Sequence, residues 1–316
     1  MINTIKKLEI NKITEKVQGC DFYETLMHAK NYFFSSILMQ ALSLISVPIF
    51  SRLLTKSDYG ILAVYNSYIG ILVVIISLNV HSSISRYYYE AKDDFCEFVG
   101  TSINLLVLIL CIILPIYFIF YHKIVNIMKL PNGLNLYLIF SCIFMIINII
   151  FLQIFIPQKK SKEISIIEIL RKYSIFGISI TFIYFLQKDR YLGAIWGNIL
   201  VQFIFSIYLI MKIYKYYKFS FNGKFIKYIL RFSIPLIPYN LNAIILAQFD
   251  RIMINYYINS ASTGIYSLGY TIGSLVLFPL GAIQRAILPD FYKLRNNKEF
   301  IRINNLYKKE ISIILL

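Results

Sequence analysis

The chain has 316 residues, of which 58% are hydrophobic and 15% charged, with a mean hydropathy of +0.65 and a net charge of +16. A water-soluble domain of this composition would expose large apolar patches, so the composition excludes that class and indicates a membrane protein. The basic residues lie in short segments between apolar runs, and they therefore indicate membrane topology rather than binding of nucleic acid.

Residues 1–30 form a charged leader without the apolar core of a signal peptide, and we expect them on the cytoplasmic side. Eight apolar runs follow, each close to the roughly 20 residues that a helix needs to cross a bilayer. Because the runs are continuously apolar rather than alternating, they predict helices and an all-α integral membrane protein. The predicted spans are residues 31–53, 61–80, 99–121, 134–156, 164–186, 193–211, 232–254 and 264–287, and a ninth begins near residue 311.

The distribution of basic residues predicts the orientation of these spans. With the leader inside, 25 of the 32 Lys and Arg fall on the same side as the leader. This excess follows the positive-inside rule and predicts a cytoplasmic N-terminus. The four cysteines show neither a CxxC pair nor a His partner at ligand spacing, so we expect reduced thiols without a disulfide framework. We expect neither a metal site nor a cofactor.

A weak internal repeat pairs the first two spans with the seventh and eighth. In each copy a proline-containing helix ends at an arginine and a glycine opens the next helix, and these glycines are Gly60 and Gly264. Two copies that enter from the same side predict a parallel, two-lobed transporter layout. The predicted organisation is a cytoplasmic leader at 1–30, a six-helix lobe at 31–211, a basic cytoplasmic linker at 212–231 and an incomplete second lobe at 232–316.

Charged residues inside a span are informative, because each costs at least roughly 2.5 kcal/mol at the bilayer centre unless it meets a partner or a polar cavity. The fifth helix is too short to cross unless it takes Glu168, Arg171 and Lys172 into the bilayer. Glu168 precedes the two cations by three and four residues, which places the side chains on one face. The pattern fits an internal ion pair with a lysine reaching the interface, or charges that line a cytoplasmic cavity, and the sequence leaves both open.

The seventh span carries small and polar residues on one side and apolar residues opposite. The polar stripe consists of Asn240, Ala243, Ala247, Asp250 and Arg251, interrupted by Ile244. The apolar back consists of Leu241, Ile245, Leu246 and Phe249, with Asn242 as the exception. Such a stripe forms an ordinary helix contact or faces water. Pro235 and Pro238 near the start predict a bend or a broken first turn, which would be a hinge or an inert helix start.

Arginines at predicted helix ends could simply anchor the chain to headgroups. Four short pieces favour a more specific interpretation: SRLLTKSDYG at 51–60, SRYYYE at 85–90, FSIPLIPYNL at 232–241 and DRIMI at 250–254. Their order and spacing resemble the polysaccharide-transporter branch of the multidrug/oligosaccharidyl-lipid/polysaccharide exporter superfamily, and most closely the lipid-linked O-unit flippases. The resemblance spans roughly residues 32–294.

This resemblance implies a bacterial inner-membrane protein with two six-helix lobes around a cationic cavity. Such proteins pass the sugar head of a polyprenyl-diphosphate carrier, for O-antigen or capsule, to the outer leaflet while the lipid tail stays in the bilayer. The implied partners are the bilayer, the carrier-linked oligosaccharide and glycan polymerase machinery. Arginine suits this cargo because its forked donors match phosphate oxygens. The candidate substrate-path residues are Arg52, Arg86, Glu168, Arg171, Lys172, Asn240, Asp250, Arg251 and Arg285.

Members of the family carry a dozen or more helices, so eight spans and the start of a ninth predict a fragment with an incomplete second lobe. Two other functions stay open. A glycan polymerase or glycosyltransferase usually displays acids or arginines on a long outside loop, whereas the longest candidate, 122–133, contains no acid. A drug exporter of the same superfamily would need a net-acidic cavity, whereas the intramembrane and helix-end charges are mostly Arg and Lys.

Overall fold

The computed structural model describes residues 30–90, 93–131 and 133–274, and all regular secondary structure in those ranges is helical. The predicted all-α membrane fold is therefore confirmed. In chain order the helices are α1 (Lys30–Leu53), α2 (Lys56–Ser77), α3 (Ser82–Glu90), α4 (Phe95–Ile119), α5 (Tyr121–Met128), α6 (Leu134–Phe155), α7 (Ser161–Phe185), α8 (Arg190–Tyr214), α9 (Gly223–Tyr257) and α10 (Ser260–Ser274).

Six of these helices are long and apolar enough to cross a membrane, namely α1, α2, α4, α6, α8 and α9. The predicted fifth span lies in α7, whose 25 residues extend about 37 Å and so suffice in length, although the helix carries several charges. The predicted eighth span begins in α10 and continues beyond the described residues. The predicted ninth span lies entirely outside them. The described residues up to Ile265 form one compact unit, and residues from Tyr266 belong to a second.

Local sequence explains where α2 begins and ends. Thr55 and Asp58 form a capping box, in which the Thr55 hydroxyl accepts from the Asp58 N–H at 3.1 Å and the Asp58 carboxylate accepts from the Thr55 N–H at 3.0 Å. At the other end Leu78 and Asn79 adopt left-handed conformations with φ of 45° and 57°. Two consecutive residues of this kind cannot continue a right-handed helix, so the chain turns before α3.

The prolines of α9 do not break the helix, contrary to the expected broken first turn. α9 begins at Gly223 rather than at residue 232, so Pro235 and Pro238 lie well inside a continuous 35-residue helix. Asn222 caps its start by accepting from the Lys224 N–H at 2.9 Å. Each proline removes one backbone donor, and the helix absorbs this loss without ending. The basic segment 212–231 is accordingly helical at both ends.

Antiparallel packing defines two rims of the bundle. On the near rim, where α1 begins, Asn31 donates to the Ser161 hydroxyl at the start of α7 at 3.0 Å, and Lys218 after α8 pairs with Glu97 near the start of α4 at 2.5 Å. On the far rim, Arg190 at the start of α8 donates to the Leu53 carbonyl at the end of α1 at 2.9 Å. Between the rims α7 packs on α8, α8 on α6, α6 on α2, and α2 on α9.

Candidate functional site

Two charged residues of α7 form a compact polar cluster with a residue of α6 inside the bundle. Arg171 donates through Nη2 to Glu168 Oε2 at 2.6 Å, and Asn148 of α6 donates to Glu168 Oε1 at 2.9 Å. The charged side chains are only 15% and 14% exposed, and the Nε of Arg171 is buried without an acceptor. The predicted internal ion pair is therefore present, and it leaves one guanidinium donor unsatisfied.

Lys172 does not join this cluster. Its side chain is exposed, whereas Arg171 and Glu168 are largely covered. The next residue, Tyr173, donates to the Leu38 carbonyl of α1 at 3.1 Å, so this part of α7 lies beside α1. Sequence spacing placed both cations near Glu168, but the structure brings only Arg171 to it.

The polar stripe of α9 is partly open. Ala243 and Ala247 are exposed, Asn240 is half-buried, and the side chain of Asp250 is 33% exposed. Arg251 lies against its own helix, where Nη1 donates to the Ala247 carbonyl at 2.9 Å and approaches Asp250 Oδ1 at 4.0 Å.

The edge of the stripe that contains Ile244 packs on α2. Ile244 and Gln248 lie within about van der Waals distance of a side chain added at Gly70. Leu246, on the predicted apolar back, is 79% exposed, as expected of a lipid-facing residue. Ile244 thus lies in the helix contact, whereas Ala243 and Ala247 lie exposed beside it.

Arg86 joins α3 to the start of α9. It donates to Glu90 at 2.7 Å, its guanidinium lies 4.7 Å from the centre of the Phe232 ring, and Tyr228 donates to the other Glu90 oxygen at 2.7 Å. Hydrogen bonds from Tyr228 and Arg86 lower the pKa of Glu90, and the bond to Glu90 raises the pKa of Arg86. Two of the quoted sequence pieces, SRYYYE and FSIPLIPYNL, therefore meet here.

The two remaining candidates are Arg52 and Arg285, and Arg52 does not join either of these polar clusters in the described residues. Arg52 is exposed at the end of α1, which suits an anchor at the far rim. Arg285 lies outside the described residues. Among those that are described, no group of three His, Cys, Asp or Glu side chains could hold a metal ion.

Several polar residues at the near rim escaped sequence reasoning. Lys212 pairs with Glu163 at 2.7 Å, and Lys160 donates to the Tyr216 hydroxyl at 2.5 Å. Glu90 could have been found, because it follows Arg86 by four residues on a helix. Asn148 could not, because nothing in the sequence of α6 indicates that it faces Glu168.

His81, in the turn between α2 and α3, is also buried. Its Nδ1 has no partner, and burial lowers its pKa to about 4. The side chain is therefore held neutral at physiological pH.

The fold and the site define a multi-spanning helical membrane protein with a buried ion pair within α7 and with lysines gathered at the near rim. The chain belongs to the family described as "Polysaccharide biosynthesis protein", whose profile matches residues 30–295. The resemblance inferred from the four short pieces is thereby confirmed.

Three known proteins are similar over most of the chain. "Lsg locus putative protein 1" of Haemophilus influenzae is 26% identical over 284 residues, which is 85% of this chain and 66% of the relative. An "Uncharacterized membrane protein" of the same species is 22% identical, covering 90% and 69%. The chain thus spans about two thirds of the length of the curated relatives it matches.

The third similarity is structural. A solved structure described as "Inward-facing conformation of a multidrug resistance MATE family transporter of the MOP superfamily" matches with a TM-score of 0.62 at 15% identity, covering 87% of this chain and 67% of that one. At this identity the match shows a shared fold. The expected exporter fold is confirmed by this match.

Proposed function

We propose that the protein flips an oligosaccharide linked to polyprenyl diphosphate from the cytoplasmic to the outer leaflet of the bacterial inner membrane, as an O-antigen or capsule unit. Membership in the polysaccharide biosynthesis family and an exporter fold support this proposal. In this role the protein is a transporter and not an enzyme.

The observation that carries the proposal is the unsatisfied guanidinium of Arg171. A buried donor without an acceptor is costly, and in low dielectric an arginine binds phosphate oxygens strongly. Glu168 holds the guanidinium through Nη2, and Asn148 holds the other oxygen of Glu168, which leaves Nε of Arg171 for a ligand. A diphosphate that enters the bundle beside this largely buried side chain would supply the missing acceptor.

The near rim is the proposed cytoplasmic side. It carries the ion pairs of Lys212 and Lys218 together with the exposed Lys30 and Lys162. The positive-inside rule places such a concentration of lysine in the cytoplasm. The substrate would then enter from the side on which its sugars are assembled.

The test is a deletion of the intact gene followed by complementation. We expect deleted cells to accumulate carrier-linked sugar units on the cytoplasmic face while glycan synthesis continues. Arg171→Gln should fail to complement, Arg171→Lys should complement partly, and the exposed Lys188→Gln should complement fully. Normal arrival of labelled units at the outer face in the deletion would disprove the proposal.

Two further readouts separate the alternatives. Sensitivity of the deletion to cationic dyes with normal surface glycan would indicate a drug exporter instead. Elongation of sugar chains by purified protein would indicate a polymerase or glycosyltransferase.

A further inference from the structure

A cleft of about 350 Å³ opens at the near rim between the start of α1 and the start of α7. Its mouth carries Lys30 and Lys162, both exposed. Its floor is apolar, and consists of Phe34, Ile166 and Ile169. This volume lies within the range of about 300–1,000 Å³ that small-molecule sites occupy.

The wall of the cleft is fixed by hydrogen bonds between the two helices. Asn31 donates to the Ser161 hydroxyl at 3.0 Å, and Ser165 donates to the Asn31 carbonyl at 3.2 Å. Farther along, Tyr173 donates to the Leu38 carbonyl at 3.1 Å. None of these bonds involves Lys30 or Lys162.

Three features of the mouth favour an anion. Neither Lys30 nor Lys162 has an ion-pair partner among the described residues. The start of α7 has no side-chain cap, so its first N–H groups and the positive end of its dipole face the same region. The acid of this turn, Glu163, is neutralised by Lys212 at 2.7 Å.

The open side of the cleft carries exposed apolar side chains. Phe34 and Ile166 are 61% and 47% exposed, and in a membrane protein such exposure is covered by lipid chains. Lys30 and Lys162 lie at the starts of α1 and α7, where a spanning helix meets the headgroups, and the apolar floor residues follow them along both helices. Two lysines beside an apolar floor match a lipid with a phosphate head on a hydrocarbon chain. Basic pockets between spanning helices are known to bind such lipids.

We propose that this cleft binds an anionic phospholipid of the surrounding bilayer, with the phosphate between Lys30 and Lys162 and one acyl chain along Phe34, Ile166 and Ile169. The site is independent of the transported cargo. The bound lipid would tie α1 to α7 next to the Glu168 and Arg171 pair.

The experiment uses a tryptophan placed on the floor of the cleft. The chain has one tryptophan, Trp196, so Phe34→Trp in a Trp196→Phe background reports on the cleft alone. The full chain is reconstituted in vesicles that contain brominated phosphatidylglycerol or brominated phosphatidylcholine, whose bromine atoms quench tryptophan on contact. We expect phosphatidylglycerol to associate about tenfold more strongly, and high salt to weaken the preference.

Charge variants test the role of the lysines. Lys30→Gln with Lys162→Gln should abolish the preference, and Lys30→Arg with Lys162→Arg should keep it. A matched control, Lys123→Gln with Lys188→Gln, removes two exposed lysines elsewhere and should also keep it. Thermal unfolding of each variant in detergent confirms that it is folded.

Two results would overturn the proposal. Equal quenching by both lipids, or a preference that survives Lys30→Gln with Lys162→Gln, would show that the lysines bind no phospholipid. Relief of quenching by polyprenyl diphosphate at concentrations far below that of phosphatidylglycerol would assign the cleft to the carrier lipid instead.

Discussion

Gly60 and Gly264 meet backbone against backbone where the start of α2 crosses the start of α10. A side chain added at Gly60 would overlap the Ser260 carbonyl oxygen, and one added at Gly264 would overlap the Lys56 carbonyl oxygen. Membrane helices use small residues for such close approach. The internal repeat equates these two glycines, and the structure shows that they touch across the far rim.

Gly60→Ala and Gly264→Ala should each force the two helices apart, because the overlap is with rigid backbone. We expect a loss of stability of about 1–3 kcal/mol, typical of overpacking, and a lower midpoint of thermal unfolding in detergent. Gly177→Ala in α7 is the control. It meets open space and should be neutral or stabilising by up to about 1 kcal/mol. Equal effects at all three positions would contradict the close crossing.

Single and double variants of the ion pair of α7 should show whether the pair serves the stability of the fold or also serves transport. Arg171→Gln leaves the Glu168 carboxylate with Asn148 alone, and loss of one partner from a buried pair costs about 3–5 kcal/mol. Glu168→Gln with Arg171→Gln should recover most of this stability, because no unpaired charge remains. The double variant should still fail to support polysaccharide export. Recovery of export along with stability would show that the pair is only structural.

His81 should make the folded protein sensitive to mild acid. Its pKa is lowered to about 4 by burial, whereas in the unfolded chain it stays near 6.5. Between these values the unfolded state binds more protons, so stability is complete above about pH 6.5 and is lost as the pH falls toward 4. From pH 7 to pH 5 the loss should be about 2 kcal/mol. His81→Gln should flatten this part of the profile of thermal midpoint against pH, and an unchanged slope would refute the assignment.

Tyr228→Phe should raise the pKa of Glu90, because the hydrogen bond from Tyr228 is the largest cause of its lowering. Carbon NMR of the Glu90 carboxyl in selectively labelled protein measures this shift directly. Tyr239→Phe provides the control, since Tyr239 lies on the same helix and is 72% exposed. A Glu90 titration that is identical in the two variants would contradict the contact between α3 and α9.

The candidate site was only partly predictable from sequence. Spacing along one helix predicted the pairing of Glu168 with Arg171, because residues three apart share a face. The same rule also included Lys172, which the structure leaves exposed. Prolines in α9 suggested a broken turn, but the helix starts at Gly223 and runs through both of them.

The sequence by itself determined that the protein lies in a lipid bilayer and that its long apolar segments are helices. Long, continuously apolar runs can satisfy their backbone groups in hydrocarbon only as helices, so α1, α2, α4, α6, α8 and α9 follow from local composition. The tertiary structure decided which side chains meet. Asn148 reaches Glu168, Gly60 meets Gly264, and Lys30 and Lys162 line one cleft, because contacts between distant helices depend on packing that no local pattern specifies.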